Sequence, residues 1–409
     1  MARRIDREWR WIAAGLVLAG FGWDAHSTLL ALAGMLGALA ALMLWVWQRA
    51  CLTAVSYRRT LGQQRAAFGE HVSLEVELVN DKLLPLSWLH VQDQVPPGLE
   101  IRGGAVAAAR FASGELNHLL TMLPFQRVRR RFTVVCDQRG AHTFGPARLR
   151  SGDPIGLREQ LAYAKAQDHL LVYPKLLALA GLPAASLLPL GDTRTARSLI
   201  DDPSRVAGVR EYRSGDPLRH VDWRATARTG ALLVREFEPS ASPKVAVFLD
   251  TRLPTLASID ASRDVIEFAI ALAASIVADL AGRGIATGLY ASGAVEDRPI
   301  AQAPSSSPTA LTTMLELLAR TTTRGPVPIE ELLIGEGARL GRGVSVIVVA
   351  AGFPDAMLVA LTEVRRRAAV TAVWVATAHG EPPPRERLDE IRQVSYGVDW
   401  RDDEIIDLH

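Results

Sequence analysis

Cysteine is almost missing from this chain, with Cys51 and Cys136 alone among 409 residues. That leaves no disulfide framework and no cysteine-built zinc site, and it suits a reducing compartment. An excess of one charge is missing as well. Lys and Arg number 46 against 44 Asp and Glu, a formal net charge of +2, so bulk electrostatics give no reason to expect nucleic acid as the main partner. Common motifs that carry chemistry are absent too. There is no G-x-x-x-x-G-K-[ST], no H-E-x-x-H, no G-x-S-x-G, no G-x-G-x-x-G after a strand, and no Cys/His cluster with ligand spacing. Gly282 and Gly284 imitate a phosphate loop, but glycine after a helix is ordinarily its C-terminal stop. The expectation is a protein that is not an enzyme, with no cofactor and no small-molecule substrate identified.

What the chain does have begins with apolar length. Residues 11–47 are nearly all apolar apart from Asp24–Thr28, which divides them into Trp11–Trp23 and Leu29–Trp47. The second run has nineteen residues, close to the roughly 20 that cross a bilayer, and the first is short. Tryptophans at 9, 11, 23, 45 and 47 mark the ends of both runs, as expected of rings at headgroup level. The reading is a two-helix hairpin in membrane lipid. A cleaved signal peptide would have one short apolar core, and here a longer run follows. Arg3, Arg4, Arg7 and Arg10 precede the hairpin, Arg49, Arg58 and Arg59 follow it, and the turn carries no Lys or Arg. Positive-inside bias then puts both termini and the remaining domains in the cytoplasm, at the cell membrane.

At 409 residues the chain should hold two or three domains. From Phe68 apolar and polar residues alternate through Val72, Leu74, Val76 and Leu78, the period of a half-buried strand. More short strands are expected at 88–91, 119–123, 129–136, 147–150 and 170–173, punctuated by Gly and Pro, which argues for a β-sandwich. His142 and Asp153 lie in this region, the first as an ordinary strand histidine and the second as turn chemistry. Beyond residue 241 the rhythm turns to continuously apolar strands alternating with helices, expected at 245–249, 262–281, 286–290, 309–318, 344–349, 357–367 and 370–375. That is the pattern of a parallel sheet covered on both faces, a doubly wound α/β domain. The expected organisation is a membrane hairpin over 1–50, a β-sandwich over 51–175, a connector and signature segment over 176–240, and the α/β domain over 241–409.

The densest segment precedes that α/β domain. Between Arg205 and Glu238, seven arginines interleave with five acids and with Tyr212, Trp223 and Phe237. Guanidinium groups pair bidentately with carboxylates and stack on aromatic rings, so the composition suits either a buried network or a docking surface. A helical turn is expected near 217–226, with Asp216 as its cap and Pro217 in its first position. Asp222 and Trp223 are expected to be structural, and Arg213, Arg219 and Arg224 to face outward.

Gly208, Arg210, Tyr212, Gly215, Asp216, Arg219, Asp222, Trp223, Ala227 and Arg228 form the pattern G-x-R-x-Y-x-x-G-D-x-x-R-x-x-D-W-x-x-x-A-R. It resembles the signature of the "domain of unknown function 58" family, and residues 139–146 and 152–157 resemble the region that precedes it there. The resemblance implies a membrane-anchored protein with a von Willebrand factor type A-like domain, working beside a MoxR-type AAA+ ATPase. It implies no established reaction. In von Willebrand factor A domains the first α/β strand opens a metal-binding pattern D-x-S-x-S, and this chain reads Asp250-Thr251-Arg252-Leu253-Pro254. Arg252 and Pro254 replace both hydroxyl ligands, so Asp250 as a ligand for Mg is the alternative, and an enzyme of unrecognised type is a further one.

Overall fold

The computed structural model describes residues 9–103, 106–110, 114–154, 159–181, 201–213, 216, 218–239, 243–252, 259–323, 325–341, 343–377, 382–384, 388, 390–397 and 399–409. The chain divides into two compact units, Met1–Tyr173 and Pro174–His409.

The first unit opens with an apolar helix pair, α1 (Trp9–Asp24) and α2 (Thr28–Ala50). Small residues set their approach. A side chain added at Gly15 would lie 2.6 Å from the Ala38 backbone, at Gly22 2.3 Å from Ala31, and at Gly34 2.3 Å from Ala19. The large side chains turn outward instead: Leu29, Met35, Leu36, Leu39 and Met43 are all exposed. Helix α2 is long and apolar enough to cross a membrane, and an outward apolar surface of this kind points to membrane association.

Twelve strands follow, β1 (Val55–Leu61), β2 (Arg65–Ala66), β3 (His71–Asn80), β4 (Leu86–Gln94), β5 (Glu100–Gly103), β6 (Val106–Arg110), β7 (Glu115–Met122), β8 (Arg127–Val135), β9 (Gly140–Phe144), β10 (Ala147–Gly152), β11 (Glu159–Ala164) and β12 (Asp168–Val172). They form sheets of order β1-β3-β8-β5-β6, β11-β10-β4-β7 and β2-β12-β9. The alternation read from residue 72 is the register of β3, whose Val72, Leu74 and Val76 are buried with Leu116, Phe132 and Leu170 from other strands. Leu78 joins Leu86, Leu89, Val91 and Met122 in a second cluster. Each cluster draws on more than one sheet, as expected where sheet faces cover one another.

A buried ionic group ties these strands together. Arg59 on β1 reaches Asp93 on β4 at 2.5 Å, Asp168 on β12 at 2.9 Å and the Phe144 carbonyl at 2.8 Å, while the Tyr57 hydroxyl donates to Asp93 at 2.5 Å. Arg59 and Asp93 are both buried. Burial pushes the Asp93 carboxyl up from its ordinary range, with the Arg59 charge pulling against it.

In the second unit a six-stranded sheet runs β18-β17-β16-β19-β20-β21, where β16 is Lys244–Leu249, β17 Ala286–Val295, β18 Arg298–Ser305, β19 Val344–Ala350, β20 Val370–Ala376 and β21 Glu390–Ser395. All neighbours are parallel except the edge strand β18. The apolar runs are continuous because both faces are covered. Val245, Val247 and Leu249 of β16 pack with helices α4 (Ile259–Gly282) and α5 (Pro308–Arg320). Ala246 and Phe248 face α6 (Ile329–Arg339) and α7 (Asp355–Arg365). Helix α4 also has the length and composition of a membrane span, yet Phe268, Ile270, Leu272, Ile276 and Val277 are buried in this core. Two small ladders complete the unit. Strand β13 (Ala178–Ala180) pairs with β22 (Ile405–Asp407), and β14 (Asp201–Glu211) pairs with β15 (Leu233–Pro239).

Candidate functional site

The signature segment is a two-stranded arm. Strands β14 and β15 pair antiparallel with Val209 opposite Arg235 and Arg210 opposite Val234. Between them lie a short 3-10 turn, Leu218–His220, and helix α3 (Trp223–Thr229). Val221 bridges to Val234, and both residues are buried. Gly208 begins the well-paired part of β14, and Tyr212 donates its backbone N–H to Leu232 at the arm's neck.

Asp216 is not the cap of this helix. Its carboxylate takes both guanidinium nitrogens of Arg210, at 2.7 and 2.8 Å, and the Arg213 backbone N–H at 2.8 Å. The Arg210 bond and then the Arg213 N–H lower its carboxyl to about 2. A carboxyl depressed on folding stabilises the fold above its ordinary value near ~4, and that stabilisation is lost as pH falls through about 2. The cap is Asp222, whose carboxylate accepts from the Arg224 and Ala225 backbone N–H groups at 3.0 Å each and from Arg235 at 3.0 Å. The Ala225 N–H and then Arg235 hold its carboxyl below the ordinary range. Gly230 closes the helix at φ 74, a left-handed position where glycine carries no steric penalty.

The two ion pairs are local to the arm. Asp222 caps α3, and Trp223, at the first position of the helix, is 64% exposed. Leu218 is also 64% exposed and Val209 47%. Arg213, Arg224 and Arg228 are exposed and, among the described residues, meet no carboxylate. Gly215 and Pro217 lie outside the described residues, and Arg219 is placed in the 3-10 turn by its backbone.

A second cluster sits at the carboxyl ends of the parallel strands. The chain winds from β16 outward to β17 on one side and from β19 to β20 on the other, so the end of β16 lies at the switch point where doubly wound sheets bind ligands. Asp250 is buried there, and the Ser292 hydroxyl donates to its Oδ1 at 3.1 Å while accepting the Thr251 backbone N–H at 2.9 Å. Gly325 packs against this corner so closely that a side chain would fall 1.5 Å from the Ser292 carbonyl oxygen. Arg252 closes the cluster. Its Nε donates to Asp250 Oδ2 at 2.9 Å and its Nη1 to Glu330 Oε1 at 3.2 Å.

The guanidinium therefore lies on the carboxylates that a divalent cation would need. Among the described residues no group of three or more His, Cys, Asp or Glu side chains could hold a metal ion. With Arg252 in this position the donor set does not fit Mg, which needs several free oxygen ligands. Pro254 lies outside the described residues. Sequence reasoning singled out Asp250 and Arg252 but missed Ser292 and Glu330, which reach the cluster only through the fold. The buried Arg59 group was also missed, because Arg59 reads as a flanking charge of the hairpin.

A parallel α/β sheet that carries a signature arm ahead of its first strand is the class this unit defines. The family model described as "Protein of unknown function DUF58" matches residues 208–386, beginning on Gly208, and the resemblance drawn from the signature residues holds. The chain is 28% identical over 231 residues to the uncharacterized protein YeaD of Bacillus subtilis (strain 168), a match covering 56% of this chain and 54% of YeaD. The chain thus spans about half the length of that relative. Similar solved structures include a type II cohesin domain from Acetivibrio cellulolyticus, 12% identical at a TM-score of 0.21, covering 29% of this chain and 95% of that one. The sporulation control protein Spo0M from Bacillus subtilis is 12% identical at a TM-score of 0.18, covering 30% of this chain and 50% of that one.

Proposed function

We propose that the chain is a membrane-tethered interaction protein. In this reading α1 and α2 both sit in the membrane, both termini face the cytoplasm, and the C-terminal α/β region is a von Willebrand factor A-like domain. It docks proteins through the signature arm and works beside a MoxR-type AAA+ ATPase. The observation that carries the reading is the arm itself. A lone two-stranded hairpin is marginal in water, and this one exposes Trp223 and Leu218 beside arginines that form no ion pair among the described residues. Trp and Arg are the residues that dominate protein-binding hot spots. Docking here is independent of divalent metal, because Arg252 supplies the positive charge against Asp250 and Glu330.

The test mixes the full chain in detergent with a purified MoxR-type AAA+ ATPase from the same source. Co-elution and a changed rate of ATP hydrolysis are expected, unaffected by a chelator and weakened at least about tenfold in Trp223→Ala, the scale of a buried aromatic anchor. An ATPase that neither co-elutes nor changes its rate would sink the partnership.

A further inference from the structure

We infer that the signature arm docks on the acidic C-terminal edge of a second copy of this chain. The inference rests on the reading of the arm as a docking surface and adds its occupant.

The edge is built by β22, which pairs with β13 and buries Ile406 and Leu408 beneath it. The outward residues are Asp399, Asp402, Asp403, Glu404 and Asp407, all exposed, with Ile405 64% exposed among them. None of these carboxylates forms an ion pair among the described residues. Two cations lie beside them, and the charge of Lys175 acts on Asp402, Asp403 and Glu404. Arg401 binds Asp264, and the Lys175 ammonium donates to the backbone carbonyls of Arg401 and Asp403 at 2.5 and 2.6 Å.

The arm has the opposite character. Asp216 is taken by Arg210 and Asp222 by Arg235, which leaves, among the described side chains, Arg213, Arg224 and Arg228 against one exposed acid, Glu211. Arg224 and Arg228 stand four residues apart on α3, one above the other on one face. The other face of that first turn offers Trp223, as the acidic edge offers Ile405. A surface with more cations than acids and a surface with more acids than cations on one chain complement each other between copies. A continuous polyanion such as nucleic acid or an anionic lipid surface fits less well, since Glu211, Asp216 and Asp222 are interleaved with the arginines. Two different patches in contact make a head-to-tail interface, which repeats into rings or open chains. Confinement of copies to one membrane would raise their effective concentration for it.

The experiment uses the full chain in lipid nanodiscs or mild detergent, as donor-labelled and acceptor-labelled populations, with no ATPase present. The parent is expected to associate, more weakly as salt rises. R224E/R228E and D402R/D403R should each weaken self-association at least about tenfold, and mixing the two variants should restore transfer between them. Melting curves matching the parent establish that both variants fold. Variants that associate like the parent, or a mixture of folded variants that stays apart, would overturn the inference. A parent that stays monomeric while still binding the ATPase through Trp223 would remove the second copy as occupant and leave the docking reading standing.

Discussion

At the scale of single residues, Arg59 shows what a buried charge requires. It is held by two carboxylates and two backbone carbonyls, one of them Ala166 at 3.1 Å, and its own side chain and that of Asp93 are buried. A buried guanidinium is tolerated only while its partners remain, because desolvation is offset by the pairing and not by solvent. Asp93→Ala is therefore expected to cost about 3–5 kcal/mol, the penalty for stranding a buried charge, read as a lower melting temperature and urea midpoint. A loss within about 0.5 kcal/mol, the range of ordinary surface changes, would show that water reaches the group after all. The same contrast separates Arg59 from Arg129, whose pair with Glu77 at 2.8 Å lies on an exposed sheet face and contributes little.

At the scale of elements, α3 shows how one carboxylate can both start a helix and fix its neighbour. Asp222 caps two backbone N–H groups and holds Arg235 on the facing strand. Asp222→Asn keeps an oxygen for the cap but removes the charge, and Asp222→Ala removes both. The melting temperature of the arm should fall in the order parent, Asn, Ala, followed by tryptophan fluorescence at Trp223. An alanine variant indistinguishable from the parent would mean that the arm is held by contacts other than this cap. The sequence pointed to Asp216 instead, because Asp followed by Pro and an apolar run is a start signal. The competing Arg210, six residues upstream, is visible only once β14 and β15 are paired. Helix α6 was missed for a related reason. Gly335 and Gly337 lower its local propensity, but Gly337 lets α7 approach, with Val364 3.0 Å from where a side chain would begin. The continuous apolar strands and the alternation in β3 were legible because their burial is periodic along the chain. The Asp250 cluster depends on contacts between distant residues, which leave no period to read.

At the scale of the whole molecule, length and apolarity do not by themselves decide what meets lipid. Helices α2 and α4 both pass as membrane spans, yet α4 gives its apolar side chains to the sheet while α2 turns Leu29, Leu36 and Leu39 outward. Helix α1, at 16 residues, reaches only about 24 Å at 1.5 Å per residue, short of the ~30 Å hydrocarbon core. It can serve in a membrane only as part of a pair, and the close contacts at Gly15, Gly22 and Gly34 supply that pair. In the proposed reading, with both helices in the bilayer, the arginines before α1 and after α2 would lie on one side, and their bias would set that side as cytoplasmic. Tags at either terminus are then expected to resist protease added to intact cells and to be cut once the membrane is broken. Cleavage of the C-terminal tag from outside would place the arm away from any cytoplasmic ATPase, and it would end the proposed partnership whatever the arm binds.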